Sequence, residues 1–139
     1  MAQLHVNIVA AEGQIHSGEA SMVFAPAAQG EVGIAPRHAP LLTTMKPGTV
    51  RVQLAGGEEL SFFVGGGILE VQPHLVSILA DTALRGEQAD ETAAAAAKAD
   101  AEAKLAGASS EMDVRKAQAE LVEAAARLEF VQKLKKPGR

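Results

Sequence analysis

Cysteine is absent from this 139-residue chain, and so are tryptophan and tyrosine. The first absence excludes disulfides and thiolate metal sites and suits a reducing compartment. The second leaves four phenylalanines as the only aromatic side chains, so a core must be built mainly from Val, Ile, Leu, Met and Ala. No apolar run approaches the roughly 20 residues that cross a bilayer, so direct membrane insertion is not expected. Met1-Ala2-Gln3-Leu4-His5 shows no basic segment followed by an apolar core, and no secretory signal is expected from it. Catalytic signatures are missing too. No G-x-S-x-G elbow, Walker A loop, H-E-x-x-H or EF-hand spacing occurs, and His5, His16, His38 and His74 have no metal-ligand spacing. Neither catalysis nor a bound metal is expected. A net charge of −4 gives no reason to expect a nucleic-acid partner.

What is present divides the chain in two. The first 84 residues hold ten of the 13 glycines and five of the six prolines, with apolar residues in short alternating runs. Leu4, Val6 and Ile8 share one strand face, and Val50 to Leu54 runs through Gly56-Gly57 as a hairpin into Leu60 to Val64. Short runs with frequent turn signals predict an antiparallel β-sandwich of about ten short strands over residues 1–85. Gly65-Gly66-Gly67 has no following Lys-Ser/Thr or helix start, so it reads as a corner where a strand changes sheets rather than a phosphate loop.

From residue 86 the composition becomes that of helix, with 16 alanines and no proline before Pro137. Gly107-Ala108-Ser109-Ser110 interrupts it, and Ser110 with Asp113 fits a capping box, so a second helix should begin near Glu111. Val114, Ala117, Leu121, Ala124, Leu128 and Val131 draw one stripe; Ala94, Ala97, Ala101 and Leu105 draw another. The expectation is an antiparallel two-helix hairpin over 86–139. Charge is graded along the chain: residues 86–113 carry 2 basic and 7 acidic residues, residues 114–139 carry 7 and 3. The basic end calls for an acidic partner or for internal pairing.

The most informative stretch is Gly30 to Gly48. Two apolar runs, Glu31 to Ile34 and Leu41 to Met45, flank a loop stiffened by Pro36 and Pro40, which presents Arg37-His38 as a rigid knuckle; Pro47-Gly48 is read as a turn immediately after. Such a loop suits docking more than catalysis, and an ordinary sandwich corner would read the same way.

This stretch closely resembles the GExGIxPxHxPLLTxLKPG signature of the epsilon subunit of bacterial F-type ATP synthases, with Met45 in place of leucine. Phe63 to Val71 and Val76 to Ala83 resemble later strands of that family. The resemblance implies a non-catalytic subunit of the rotor's central stalk, peripheral to the cytoplasmic face of the bacterial inner membrane. Its implied partners are the gamma subunit, the polar loops of the c-subunit ring and, through the helices, the catalytic alpha and beta subunits. It assigns Glu31 to the polar loops, Arg37 and His38 to the neighbourhood of gamma, and Pro47 and Gly48 to the adjoining turn. The helices become an inhibitor of ATP hydrolysis, whose Arg115, Lys116, Arg127, Lys133, Lys135 and Lys136 meet an acidic segment of the beta subunits. Fifty helical residues would reach about 75 Å, enough to enter the catalytic head.

Many members of that family carry Ile/Leu-Asp-x-x-Arg-Ala for ATP. Here the segment is Ala89-Asp90-Glu91-Thr92-Ala93-Ala94, with Ala93 in place of the arginine, so no bound cofactor is expected. Without the signature, a free-standing sandwich adaptor with an oligomerising helical tail would fit the composition equally.

Overall fold

The computed structural model describes residues 3–134 and divides after Glu87 into two compact units. The first unit holds eight strands, β1 (Leu4–Ala10), β2 (Gly13–Ala20), β3 (Met22–Ala27), β4 (Gly30–Ile34), β5 (Leu41–Gln53), β6 (Glu59–Gln72), β7 (Leu75–Ala80) and β8 (Ala83–Arg85). They are ordered β2-β1-β7-β6-β5-β3-β4, with β8 also on β6.

Among the described residues there are eight strands rather than about ten, because β5 and β6 run for 13 and 14 residues where short runs had suggested separate pieces. The sheet is mixed rather than antiparallel throughout: β1 pairs with β7 in parallel, His5 opposite Leu75 through Val9 opposite Leu79.

Those two long strands create the layers. In the first half of β5 the odd-numbered Met45 faces the core, whereas in the second half Val50 and Val52 do. β6 changes phase the other way, from Phe62 and Val64 to Leu69 and Val71. Because side chains alternate with a period of two, a one-residue slip turns a strand's inner face outward unless the strand bends there. Both strands bend at facing positions, Pro47 opposite Gly65. Each half therefore contributes to one continuous core, which also takes Leu4, Val6, Ile8, Val23, Val76 and Ile78.

Pro47-Gly48 is thus not a turn. It lies inside β5 at the corner, where proline's missing N–H is tolerated because the strand is bending. Gly48 leaves room for Pro26 of β3, since a Cβ there would lie 2.9 Å from the Pro26 Cβ. Gly66 and Gly67, with φ of 100° and 138°, supply the matching bend in β6. Around this corner β6 changes partner, from β8 at residues 62–64 to β7 from Gly67 onward, so the glycine run marks a bend within one continuous sheet rather than a switch between sheets.

The second unit contains α1 (Glu91–Ala106) and α2 (Glu111–Leu134), preceded by a short 3-10 turn. Asp90 caps α1, its carboxylate accepting from Ala93 N at 3.1 Å, and Ser110 caps α2 by accepting from Asp113 N at 3.0 Å. The helices meet through Ala94 and Ala101 on α1 and Ala117 and Ala124 on α2, each pair seven residues apart. A buried methyl contributes about 0.8 kcal/mol, so an alanine seam holds the pair only lightly.

Candidate partner-binding surface

The loop between β4 and β5 is a tight turn. His38 N donates to Ala35 O at 3.1 Å, with Pro36 and then Arg37 at the two central positions. Arg37 has φ of 68°, and it is the one positive-φ residue other than glycine among the described residues. A left-handed third position is what a type II turn demands, and arginine fills it at a cost glycine would avoid. Arg37 N donates to Pro73 O at 2.8 Å and His5 N to His74 O at 2.9 Å, so the β6–β7 turn anchors the loop. The His38 ring Nδ1 donates to Ala39 O at 2.7 Å. The stiff knuckle read from the prolines is held by backbone bonds as well.

Glu31 lies elsewhere, separated from this loop by most of β4. It pairs with Arg51 at 3.4 Å, and Arg51 also reaches Glu59 at 3.3 Å while its guanidinium rests 4.2 Å above the Phe24 ring. Gly33 makes room for this cluster: a Cβ there would sit 3.2 Å from the Phe24 ring. Sequence reading missed Arg51, since only the register setting Phe24 between Gly33 and Arg51 brings these groups together.

It also missed the most conspicuous surface feature. Val9 stands opposite Leu79 in the β1·β7 pair, and Leu79 opposite Ile68 in the β6·β7 pair. All three are exposed, Leu79 by 50% and Ile68 by 45%. Single exposed aliphatics are ordinary; three in register across three strands make a continuous apolar row. Asn7, Ser77 and Glu70 form the adjacent row, with Leu42 at its end, 71% exposed. The outer face of this layer is therefore an apolar strip with a polar border, the form of a protein-docking surface.

On the helices the basic residues are partly answered already. Arg115 pairs with Glu111 at 3.1 Å and Lys133 with Glu129 at 3.2 Å, both one turn apart, and Lys104 reaches across to Glu120 at 3.5 Å. Lys116 is exposed, whereas Arg127 is half-buried with an Nε that makes no hydrogen bond. Lys135 and Lys136 lie outside the described residues. In the degenerate ATP segment Asp90 is occupied as a cap, Ala94 is buried in the helix seam, and Ala93 is exposed. No cluster of His, Cys, Asp or Glu able to hold a metal occurs among the described residues, and none of their helices is long and apolar enough to cross a membrane.

The family model for the ATP synthase delta/epsilon chain beta-sandwich domain matches residues 3–86. The ATP synthase epsilon chain of Alkalilimnicola ehrlichii is 55% identical over 136 residues, covering 98% of this chain and 97% of its own. That of Nitrosococcus oceani is 54% identical, covering 96% and 95%. This chain belongs to the ATP synthase epsilon-chain family.

Membership makes it a non-catalytic component of that complex, and the likeness to epsilon chains runs through the helices as well as the sandwich. The fold agrees with a chain of the Euglena gracilis mitochondrial ATP synthase, solved with its F1 and c-ring, at a TM-score of 0.78 and 21% identity over 91% of this chain and 79% of that one. A chain from the central stalk and c-ring structure of the Tetrahymena thermophila mitochondrial ATP synthase gives 0.63 at 13% identity, covering 94% and 96%.

Proposed function

We propose that this chain is a central-stalk subunit of a proton-translocating rotary ATP synthase, peripheral to the cytoplasmic face of the inner membrane. Its sandwich grips gamma and rests on the polar loops of the c-ring, and its helices restrain ATP hydrolysis at the alpha and beta subunits. The observation that carries the reading is the row Val9, Leu79 and Ile68. A flat apolar strip with a polar border matches a shaft subunit that must stay attached through rotation, and we assign it to gamma. Arg37 and His38 project from the adjoining end of the same unit. Glu31, paired with Arg51 and exposed, offers a carboxylate to the polar loops.

Co-expression tests the assignment. The chain should co-purify with gamma, and Leu79→Glu should weaken that association by about tenfold or more, since a carboxylate forced into the centre of an interface costs on the order of 2 kcal/mol. The thermal transition of the free chain should stay unchanged, because Leu79 is exposed there. Retention of gamma by the variant, or failure of the unmodified chain to bind it, would favour a free-standing adaptor.

The helices supply the second arm. Their lightly held alanine seam leaves them able to separate, and Arg115 and Lys133 can trade their present neighbours for an acidic surface that Lys116 and Arg127 would also meet. Exposed pairs of this kind contribute about 0–1 kcal/mol each, so the exchange costs little. Nucleotide does not drive it: with Ala93 exposed where the family's ATP segment has arginine, calorimetric titration with ATP should show no micromolar binding. A micromolar isotherm would overturn that statement and leave the inhibitory one standing.

A further inference from the structure

The second strand carries an irregularity that no partner-binding role uses. In the β1·β2 ladder Ile8 stands opposite His16 and Val9 opposite Gln14, so Ile15 is an extra residue. A bulge of this kind takes its extra residue off the ladder. The Ile15 carbonyl instead accepts from Arg85 Nε at 3.1 Å, and Arg85 ends β8, a strand of three residues. One side chain thus ties the edge strand β2 to β8.

His16 sits beside that tie. Opposite the fully buried Ile8, it lies on the core side of β2, its ring 5.2 Å from that of Phe62. Phe62 in turn pairs with Arg85 in the β6·β8 ladder. The His16 Nε2 is buried and has no hydrogen-bond partner.

We propose that His16 and Arg85 form an acid-sensitive latch across the seam between β2 and β8, closed while His16 is neutral and opened when it takes up a proton. A neutral imidazole tolerates a bare buried nitrogen. An imidazolium would put an N–H and a positive charge there with no acceptor and with Arg85 alongside. Burial holds the His16 pKa below the ordinary histidine value of 6.5, and the charges of His5 and Arg85 push the same way. The charged or titratable neighbours are His5 from β1 and Arg85 from β8, while β6 presents the neutral Phe62 ring. Glu19, the carboxylate nearest in sequence, lies 2.7 Å from His5 Nδ1 and answers His5 instead.

The sign follows from linkage. With the folded pKa below the unfolded one, the closed seam has its full stability above pH 6.5 and loses it as pH falls through the folded pKa. β8 keeps its ladder with β6 when the seam opens, so the latch releases the bulged end of the edge strand β2.

Hydrogen exchange on the full chain reads the latch. From about pH 7.5 to about pH 5, protection factors of the amides in residues 13–16 should fall, by up to about tenfold per pH unit for one proton taken up, while those of Val6, Leu69 and the β6-paired β8 hold. His16→Gln should flatten that profile. In the unmodified chain, NMR titration should place His16 below the ordinary histidine range. An unchanged profile in His16→Gln, flattening by His5→Gln alone, or His16 titrating at or above its ordinary value would each overturn the latch. The NMR titration decides even if a variant fails to fold.

Discussion

Gly67→Ala should destabilise the sandwich by about 3 kcal/mol or more, combining left-handed strain of about 1–3 kcal/mol with overpacking of about 1–3 kcal/mol. Gly67 has φ of 138°, and a Cβ there would fall well inside van der Waals contact with the Leu79 carbonyl oxygen and 2.9 Å from Ala80 Cα. Both contacts are backbone of the paired strand β7, so no flexible side chain can move aside. Against a total stability of about 5–15 kcal/mol, the loss is about a fifth to three-fifths of the whole. With a urea slope of about 2 kcal/mol/M, the midpoint should fall by about 1.5 M. Gly56→Ala is the control: nothing lies within 4 Å of its Cβ position, and its midpoint should barely move. Equal midpoints for the two variants would mean that β6 and β7 do not approach this closely at the corner.

Removing residues 88–139 should raise ATP hydrolysis by the assembled enzyme about fivefold or more, if the helices restrain the head with a coupling of at least about 1 kcal/mol. Assembly should survive. Every buried residue of the sandwich core lies between Leu4 and Ala80, so the truncated chain keeps that core whole. The measurement is steady-state hydrolysis at matched subunit stoichiometry. Unchanged hydrolysis with the sandwich still bound would show that this member's helices are not a brake, while the gamma-binding assignment would stand.

Elements set by local chemistry were legible in the sequence. Leu4, Val6 and Ile8 turn inward as their alternation requires, Gly56-Gly57 closes the β5–β6 hairpin, and Ser110 caps α2 at the residue its spacing implied. The alanine stripes found each other through the positions that recur every seven residues. Phe130, buried on α2, stood outside both stripes and carried no periodic signal. What escaped was non-local. β2, with the sequence GQIHSGEA, is an edge strand too polar to show a pattern, and β8 is too short to show one. The β1·β7 pairing joins residues about seventy positions apart, which no window on the sequence can see.

The candidate surfaces divide the same way. The Arg37-His38 knuckle was readable because prolines act on their immediate neighbours. The row Val9, Leu79 and Ile68 was not, because each residue alone looks like one more member of an apolar run and only register makes the three a surface. Pro47-Gly48 misled for the converse reason. As a dipeptide it is a strong turn signal, and tertiary pairing with Gly65 and Val64 overrides it.

The unbroken passage of β5 and β6 around the corner carries a mechanical meaning. Two stacked sheets joined only by side-chain packing can slide over one another, with nothing but dispersion resisting shear. Here two adjacent, hydrogen-bonded backbones cross from one layer to the other, so a sideways load on either outer face is delivered to the opposite one through covalent chain. Such a block twists as a single piece and stores little elastic slack.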